Sequence, residues 1–131
     1  MLSKLASVVF LLTSVLIGIG SLGHAHQWGP LVHSLGGVRP EIVELLKLVW
    51  FWVSGTMAVF GVLLVWTWWH IRSGNRALYL IPWLISGFYF VGGVWGVRYV
   101  GAFFSLFIVL SATLCATTWV LYRGAIARGP G

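Results

Sequence analysis

The sequence predicts an all-α integral membrane protein whose four transmembrane helices form an antiparallel bundle with both termini in the cytoplasm. Three observations predict this fold class, and the first two concern composition. Hydrophobic residues make up 60% of the 131 residues, and only 8% are charged, whereas about a quarter of the residues in a soluble domain are charged. The third is that the apolar residues form runs long enough to cross a bilayer. These runs place the four spans of a single domain (residues 1–131) at about residues 4–23, 45–70, 77–97 and 100–122.

The first span begins at Lys4 and contains an unbroken apolar run from Leu5 to Leu22. Residues 23–25 have the small-x-small form of a signal-peptide cleavage site. Cleavage there is an alternative, and it would leave His26 as a new N-terminus able to chelate copper through its amine and imidazole. We expect a retained helix, because the apolar run is longer than most signal-peptide cores.

The outer loop, residues 24–44, connects the first two spans and is the longest stretch suited to water. It holds three of the four histidines and both acidic residues of the chain. Near its end, Pro40 is followed by Glu41 and Glu44, and a proline with acids in the first turn is typical of a helix start. The second helix is therefore expected to begin at this proline, before the apolar run.

Small residues predict where the helices pack closely. Gly92 and Gly96 form a GxxxG pair in the third span, and Ser14, Gly18 and Ser21 recur at helical spacing in the first. A stripe of small and weakly polar residues in the fourth span suits an interhelical seam. Tryptophans near both ends of the second span fit aromatic belts at the two membrane interfaces. The predicted packing and partner-contact residues are Gly87, Gly92, Gly96, Trp50, Trp52, Trp66 and Trp69.

The basic residues that flank the spans predict the orientation of the chain. If the N-terminus lies in the cytoplasm, five basic residues fall on that side, namely Lys4, Arg72, Arg76, Arg123 and Arg128. Three fall on the other side, namely Arg39, Lys47 and Arg98. This bias favours cytoplasmic termini and an outer loop outside, in the inner membrane of a bacterium.

Several classes of function find no support in the sequence. The single cysteine, Cys115, lies in an apolar span, where a thiol stays protonated and inert. The basic residues are scattered singly, so no patch exists to bind nucleic acid. The apolar spans carry no charge in their interiors, which argues against an ion-coupled transporter or a proton pump. We expect no enzymatic activity.

The histidines are the candidate ligands for a metal or cofactor. His24, His26 and His33 supply imidazoles suited to a transition metal, although their spacing matches no recognised metal motif. His24 and His70 lie at opposite ends of the spans, so each could bind a haem or a chlorophyll only as a lone ligand. We predict no cofactor, with haem, chlorophyll or a transition metal as the alternatives.

The function best supported by these patterns is that of a small non-catalytic membrane protein. It would act as an accessory or structural subunit of a larger membrane protein complex, such as a cofactor-carrying respiratory or photosynthetic one. Its partners would be the lipid bilayer and other integral membrane subunits. The alternative is a membrane protein that binds a metal, a haem or a quinone through the histidines on its outer face.

Overall fold

The computed structural model describes residues 2–73 and 75–127, without the side chains of Leu2 and Arg76. Within these ranges the chain is helical and contains no strand. Arg128 and the side chain of Arg76, on which the predicted orientation partly rests, lie outside the described residues. The α-helices are α1 (Leu2–His26), α2 (Trp28–Ser34), α3 (Pro40–Arg72), α4 (Leu80–Tyr99) and α5 (Ser105–Ile126), and two short 3-10 helices precede α4 and α5, at Arg76–Tyr79 and Ala102–Phe104.

Four helical segments of the described chain are long and apolar enough to cross a membrane, as judged by length and composition. The segments are Ser3–Ser34, Pro40–Arg72, Ala77–Tyr99 and Ala102–Ile126. The prediction of an all-helical protein with four apolar helices of membrane-spanning length is therefore confirmed.

The segment at residues 24–44, which the sequence predicts as a loop between the first two spans, is largely helical in the structure. The helix α1 continues to His26, and α2 then runs from Trp28 to Ser34. Pro40 is the first residue of α3, with Arg39 as the N-cap residue, so the helix begins where the proline and the following acids indicate. With 33 residues, α3 is about 50 Å long, which exceeds the roughly 30 Å of bilayer hydrocarbon.

The helices α1 and α3 pack against each other in opposite directions. At one end, the Trp68 indole N–H donates to the backbone oxygen of Ser7 at 3.0 Å. At the other end, the Trp50 indole N–H donates to the backbone oxygen of His24 at 2.7 Å. Between these two hydrogen bonds the backbones meet at Gly18 of α1 and Gly61 of α3, and the absence of side chains there allows the helices to approach closely.

The helices α4 and α5 are joined by a reciprocal pair of hydrogen bonds. The Ser86 hydroxyl donates to the backbone oxygen of Ser111 at 2.9 Å, and the Ser111 hydroxyl donates to the backbone oxygen of Ser86 at 2.8 Å. Between α4 and the 3-10 helix that precedes α5, Gly101 has a φ of +153°, a conformation that is accessible mainly to glycine. The chain therefore reverses within a few residues.

The interior is arranged around α1, which packs against both α3 and α5. Phe10 of α1, Leu64 of α3 and Leu114 of α5 are completely buried. The contact between α3 and α4 is smaller and includes an edge-to-face pair, Phe60 and Phe88, with ring centroids 5.2 Å apart. Most of the remaining large apolar side chains are exposed, as expected for helices surrounded by lipid.

Candidate functional site

His24, the first candidate ligand, lies near the end of α1 and is held from two sides. Its ring stacks on Trp50 with the centroids 4.1 Å apart and the planes at 18°. Its Nδ1 lies 2.9 Å from the Ser54 hydroxyl oxygen, and that hydroxyl donates to the backbone oxygen of Trp50 at 3.1 Å. A hydroxyl has one proton to donate, so these contacts are satisfied together when His24 carries its hydrogen on Nδ1. Its Nε2 then keeps a lone pair.

The other two histidines of this region do not join His24. His33 points its Nδ1 at the backbone oxygen of Gly29, 2.6 Å away within α2, and His26 is exposed at the end of α1. Among the described residues, no three His, Cys, Asp or Glu side chains are grouped so that they could hold a metal ion. A metal site that uses all three histidines stays a prediction, and it requires a different arrangement of this segment.

His70 lies near the opposite end of α3. Its Nδ1 is 2.9 Å from the backbone oxygen of Trp66, and its ring centroid is 4.3 Å from that of the same tryptophan. Ser54, which contacts His24, precedes His70 by 16 residues, or about 24 Å along the helix. The two histidines are therefore too far apart to ligate one metal atom, and a haem or chlorophyll held by either one alone stays a prediction.

The four predicted contact tryptophans divide into two kinds. Trp50 packs inside the chain against His24, whereas the side chains of Trp52, Trp66 and Trp69 are 75%, 45% and 65% exposed. Only Trp50 therefore connects helices of this chain, and the other three face outward, where lipid or a partner subunit can contact them.

Trp68, which the sequence pattern did not separate from its neighbours, is a second tryptophan that connects helices. Its N–H lies 2.9 Å from the Ser7 hydroxyl as well as close to the backbone oxygen of that residue. The guanidinium of Arg72 lies 4.7 Å from its ring centroid. The signal that could have identified it is its spacing of seven residues from Gly61, because residues seven apart share a helix face.

The three predicted packing glycines also differ. Gly96 is closely packed, since a Cβ atom there would collide with the Phe104 side chain, whereas a Cβ on Gly87 or Gly92 would meet nothing within 4 Å. The GxxxG pair therefore does not act as a unit inside the chain. Gly93 fills that role, because an added Cβ would lie 2.7 Å from Cγ1 of Ile108.

Two shallow apolar grooves are open on the outer surface of the described chain. One, of about 490 Å³, lies between α1 and α3 and is called the α1–α3 groove below. The other, of about 340 Å³, lies on α4 and is called the α4 groove; its lining residues are Phe90, Val91, Val94, Trp95, Arg98 and Tyr99. In a membrane, both would face lipid or another protein.

Comparison with known proteins adds no relative. No family model matches the chain, and no curated protein and no solved structure matches it.

Proposed function

We propose that the protein is a small, non-catalytic accessory or structural subunit of a larger membrane protein complex. In this proposal the four apolar helices form an antiparallel bundle in a bacterial inner membrane, with both termini in the cytoplasm and residues 24–44 outside. The observation that carries the proposal is the outward position of Gly87 and Gly92 on α4, where an added Cβ would meet nothing within 4 Å.

Outward-facing glycines favour a partner helix because of how helices associate in lipid. Apolar side chains gain little by leaving lipid for a protein surface, so association depends on close packing at small residues. This chain uses glycine in that way at Gly61 and Gly93, where another helix leaves no room for a Cβ. Gly87 and Gly92 have the same small surface with no helix of this chain against it. They lie five residues, or about 140°, apart around α4, on two sides of its outward face, and helices from another subunit would supply the missing contacts.

The α4 groove supports the same face as the contact surface. It combines aromatic side chains with Arg98, whose guanidinium lies 5.8 Å from the ring centroid of Tyr99. Aromatic residues and arginine are the side chains most enriched at the centres of protein interfaces. Trp95, also in this groove, is 66% exposed, so a large anchor side chain is available to a partner.

The proposed orientation is supported by the positions of the basic residues. Lys4 and Arg72 lie at the same end of the α1–α3 pair, because the Ser7–Trp68 hydrogen bond joins the adjacent turns. Arg123 is at this end too, since a Cβ on its neighbour Gly124 would lie 3.9 Å from Cβ of Ser3. Basic residues are enriched on the cytoplasmic side, which favours this end as the inner one.

The decisive experiment compares glycine variants for retention of a partner. Gly87→Leu combined with Gly92→Leu places branched side chains on the proposed contact face, while Gly55→Leu, at another open glycine, is the matched control on α3. After extraction of native membranes in a mild detergent, we expect wild type and Gly55→Leu to purify with a stoichiometric membrane partner, and the α4 double variant to lose it. A wild-type protein that purifies alone and monodisperse would contradict the proposal.

Cofactor binding is the second candidate function, and one observation favours it. His24, His33 and His70 each direct Nδ1 at an oxygen of the protein, which is how metal-bound histidines are commonly oriented, with Nε2 as the ligand atom. Metal analysis and a visible absorption spectrum of the native protein test it. Bound cofactor that disappears in His24→Ala or His70→Ala would support this function, and cofactor content unchanged in both variants would exclude these ligands.

A further inference from the structure

Two basic residues lie beyond one end of the α1–α3 groove, on the helix faces that line it. The groove is lined by apolar and small side chains of both helices, which are Ser14, Val15, Gly18, Ile19, Ala58, Gly61, Val62, Val65 and Trp66. Lys4 precedes Val15 by 11 residues, or about three helical turns, and therefore lies on the same face of α1. Arg72 follows Val65 by seven residues, or about two turns, and shares its face of α3 in the same way.

The two cations lie at one level of the helix pair. The hydrogen bond from Trp68 to Ser7 joins the turns next to them, with Arg72 one turn beyond Trp68 and Lys4 about one turn before Ser7. The Arg72 guanidinium rests over the Trp68 ring at 4.7 Å, a cation–π contact that restricts where its charge can lie. Two positive side chains therefore lie beyond one open end of the apolar groove, with Arg72 about 9 Å of helix past Trp66 and Lys4 about 15 Å before the first lining residue of α1.

No acidic side chain neutralises this end. Both acidic residues of the sequence, Glu41 and Glu44, lie in the first two turns of α3, whereas Arg72 is the last residue of that helix. Within the described part of the chain the one ion pair joins Glu44 to Lys47, 3.6 Å apart. The charges of Lys4 and Arg72 thus have no acidic side chain as a partner in the described part of the chain, and an anion from outside the chain can contact them.

We propose that the α1–α3 groove binds an anionic phospholipid, with its phosphate between Lys4 and Arg72 and an acyl chain along the groove. The dimensions agree, because Arg72 to Ala58 spans about 21 Å of helix, and one leaflet measures about 15 Å of hydrocarbon, or roughly 21 Å with its headgroup region. Exposed tryptophans at Trp66 and Trp69 suit the boundary between headgroup and acyl chain. Positive side chains at the cytoplasmic surface attract anionic lipid, so this site agrees with the proposed orientation but does not require a protein partner.

The test uses purified full-length protein that has been stripped of lipid in detergent. Native mass spectrometry would count bound phosphatidylglycerol and phosphatidylcholine of identical acyl chains over a titration. We expect wild type to bind one phosphatidylglycerol with a preference of about tenfold or more, since two basic residues each contribute to attracting an anionic headgroup.

Three variants separate the headgroup contact from the groove. Lys4→Gln with Arg72→Gln should abolish the preference for phosphatidylglycerol. Val62→Trp, at a groove residue that is 70% exposed and can therefore accept a larger side chain, should reduce the binding of both lipids. Arg39→Gln, at the exposed residue that precedes α3, is the charge control and should leave lipid binding unchanged. Circular dichroism and gel filtration would confirm that each variant is folded.

Several outcomes would overturn the lipid assignment. Equal binding of the two lipids by wild type would show a non-selective apolar surface. An equal loss of the preference in Arg39→Gln would show that net charge rather than this site selects the lipid. A membrane protein that copurifies with wild type and is lost specifically in Val62→Trp would assign the groove to a protein partner. The partner loss predicted for the α4 glycine variants is a separate readout, so either proposal can fail alone.

Discussion

Replacing Gly61 with alanine is expected to separate α1 from α3 at the centre of their contact. A Cβ atom added to Gly61 would lie 2.5 Å from Cα and 2.7 Å from the backbone nitrogen of Gly18, and 3.2 Å from the backbone oxygen of Ser14. These neighbours are backbone atoms, so no side chain can rotate away to make room. The backbone of one helix has to move.

The size of the effect follows from these distances. Carbon atoms in normal contact are about 3.5 to 4.0 Å apart, so the helices must separate by about 1 Å, and a gap of that size forfeits a quarter to a half of the dispersion energy of each contact along the seam. Overpacking a closely packed interior typically costs about 1–3 kcal/mol. We therefore expect Gly61→Ala to lower the free energy of unfolding by about that amount.

The chain offers two matched controls for Gly61. Gly55, in the same helix, has nothing within 4 Å of an added Cβ, and a Cβ on Gly18 would lie 3.6 Å from Cα of Gly61, an ordinary contact. Both alanine variants should be close to wild type in stability, because alanine is also the better helix former. Unfolding with a denaturing detergent, followed by tryptophan fluorescence, would measure all three. Equal stability of Gly61→Ala and Gly55→Ala would refute the reasoning.

Two further predictions concern the hydrogen bonds between helices. Ser86→Ala should destabilise the α4–α5 contact by roughly 0.6–2 kcal/mol. Adding Ser111→Ala should have less than an additive effect on the free energy of unfolding, because the two hydrogen bonds are reciprocal. A double-mutant cycle in the same unfolding assay would measure this coupling, and strict additivity would contradict it. Trp68→Phe should lower the free energy of unfolding by about 1 kcal/mol for the lost hydrogen bond to Ser7, in addition to the loss of indole packing. Trp69→Phe, at an exposed site, should have little effect. Equal losses of stability in the two variants would argue against the Trp68–Ser7 contact.

The number of long helices and the start of α3 could be predicted from sequence because both depend on local chemistry. An apolar run of sufficient length is visible without knowledge of its neighbours. A proline followed by acidic residues satisfies the first turn of a helix by itself, and Pro40 begins α3 as these residues indicate. The extension of α1 to His26 and the short helix α2 were less visible, because Gly29 and Pro30 resemble a turn.

Which face of each helix is buried could be predicted only in part. In a soluble helix the contrast between polar and apolar residues identifies the buried face, but lipid removes that contrast. In α3 the buried positions include Ser54, Gly61 and Thr67, while large apolar residues such as Val62 face outward. Small and hydroxyl residues mark the interior, which explains why Gly18 could be anticipated and why the outward position of Gly92 could not.

The contacts of the candidate site also could not be predicted from the local sequence. The histidines of residues 24–33 are close in sequence, and this closeness suggested a joint metal site. The structure instead pairs His24 with Trp50 and Ser54, which are about 30 residues away in sequence and one helix away in space. Contacts between helices depend on the register of the pair, and nothing in the local pattern of residues 24–33 specifies that register.

The register of α1 and α3 is set by two indole hydrogen bonds between the helices, and the spacing of these bonds along α3 matches the thickness of a bilayer. The indoles of Trp50 and Trp68 bond to backbone oxygens of α1 at 2.7 and 3.0 Å, and they are 18 residues apart, or about 27 Å, close to the roughly 30 Å hydrocarbon thickness. Tryptophan favours both membrane interfaces, so in a bilayer the two interfaces would hold the two indoles at the levels where they reach α1. With both ends fixed in this way, sliding cannot relieve a clash at Gly61, which is why the added methyl group there must force the helices apart.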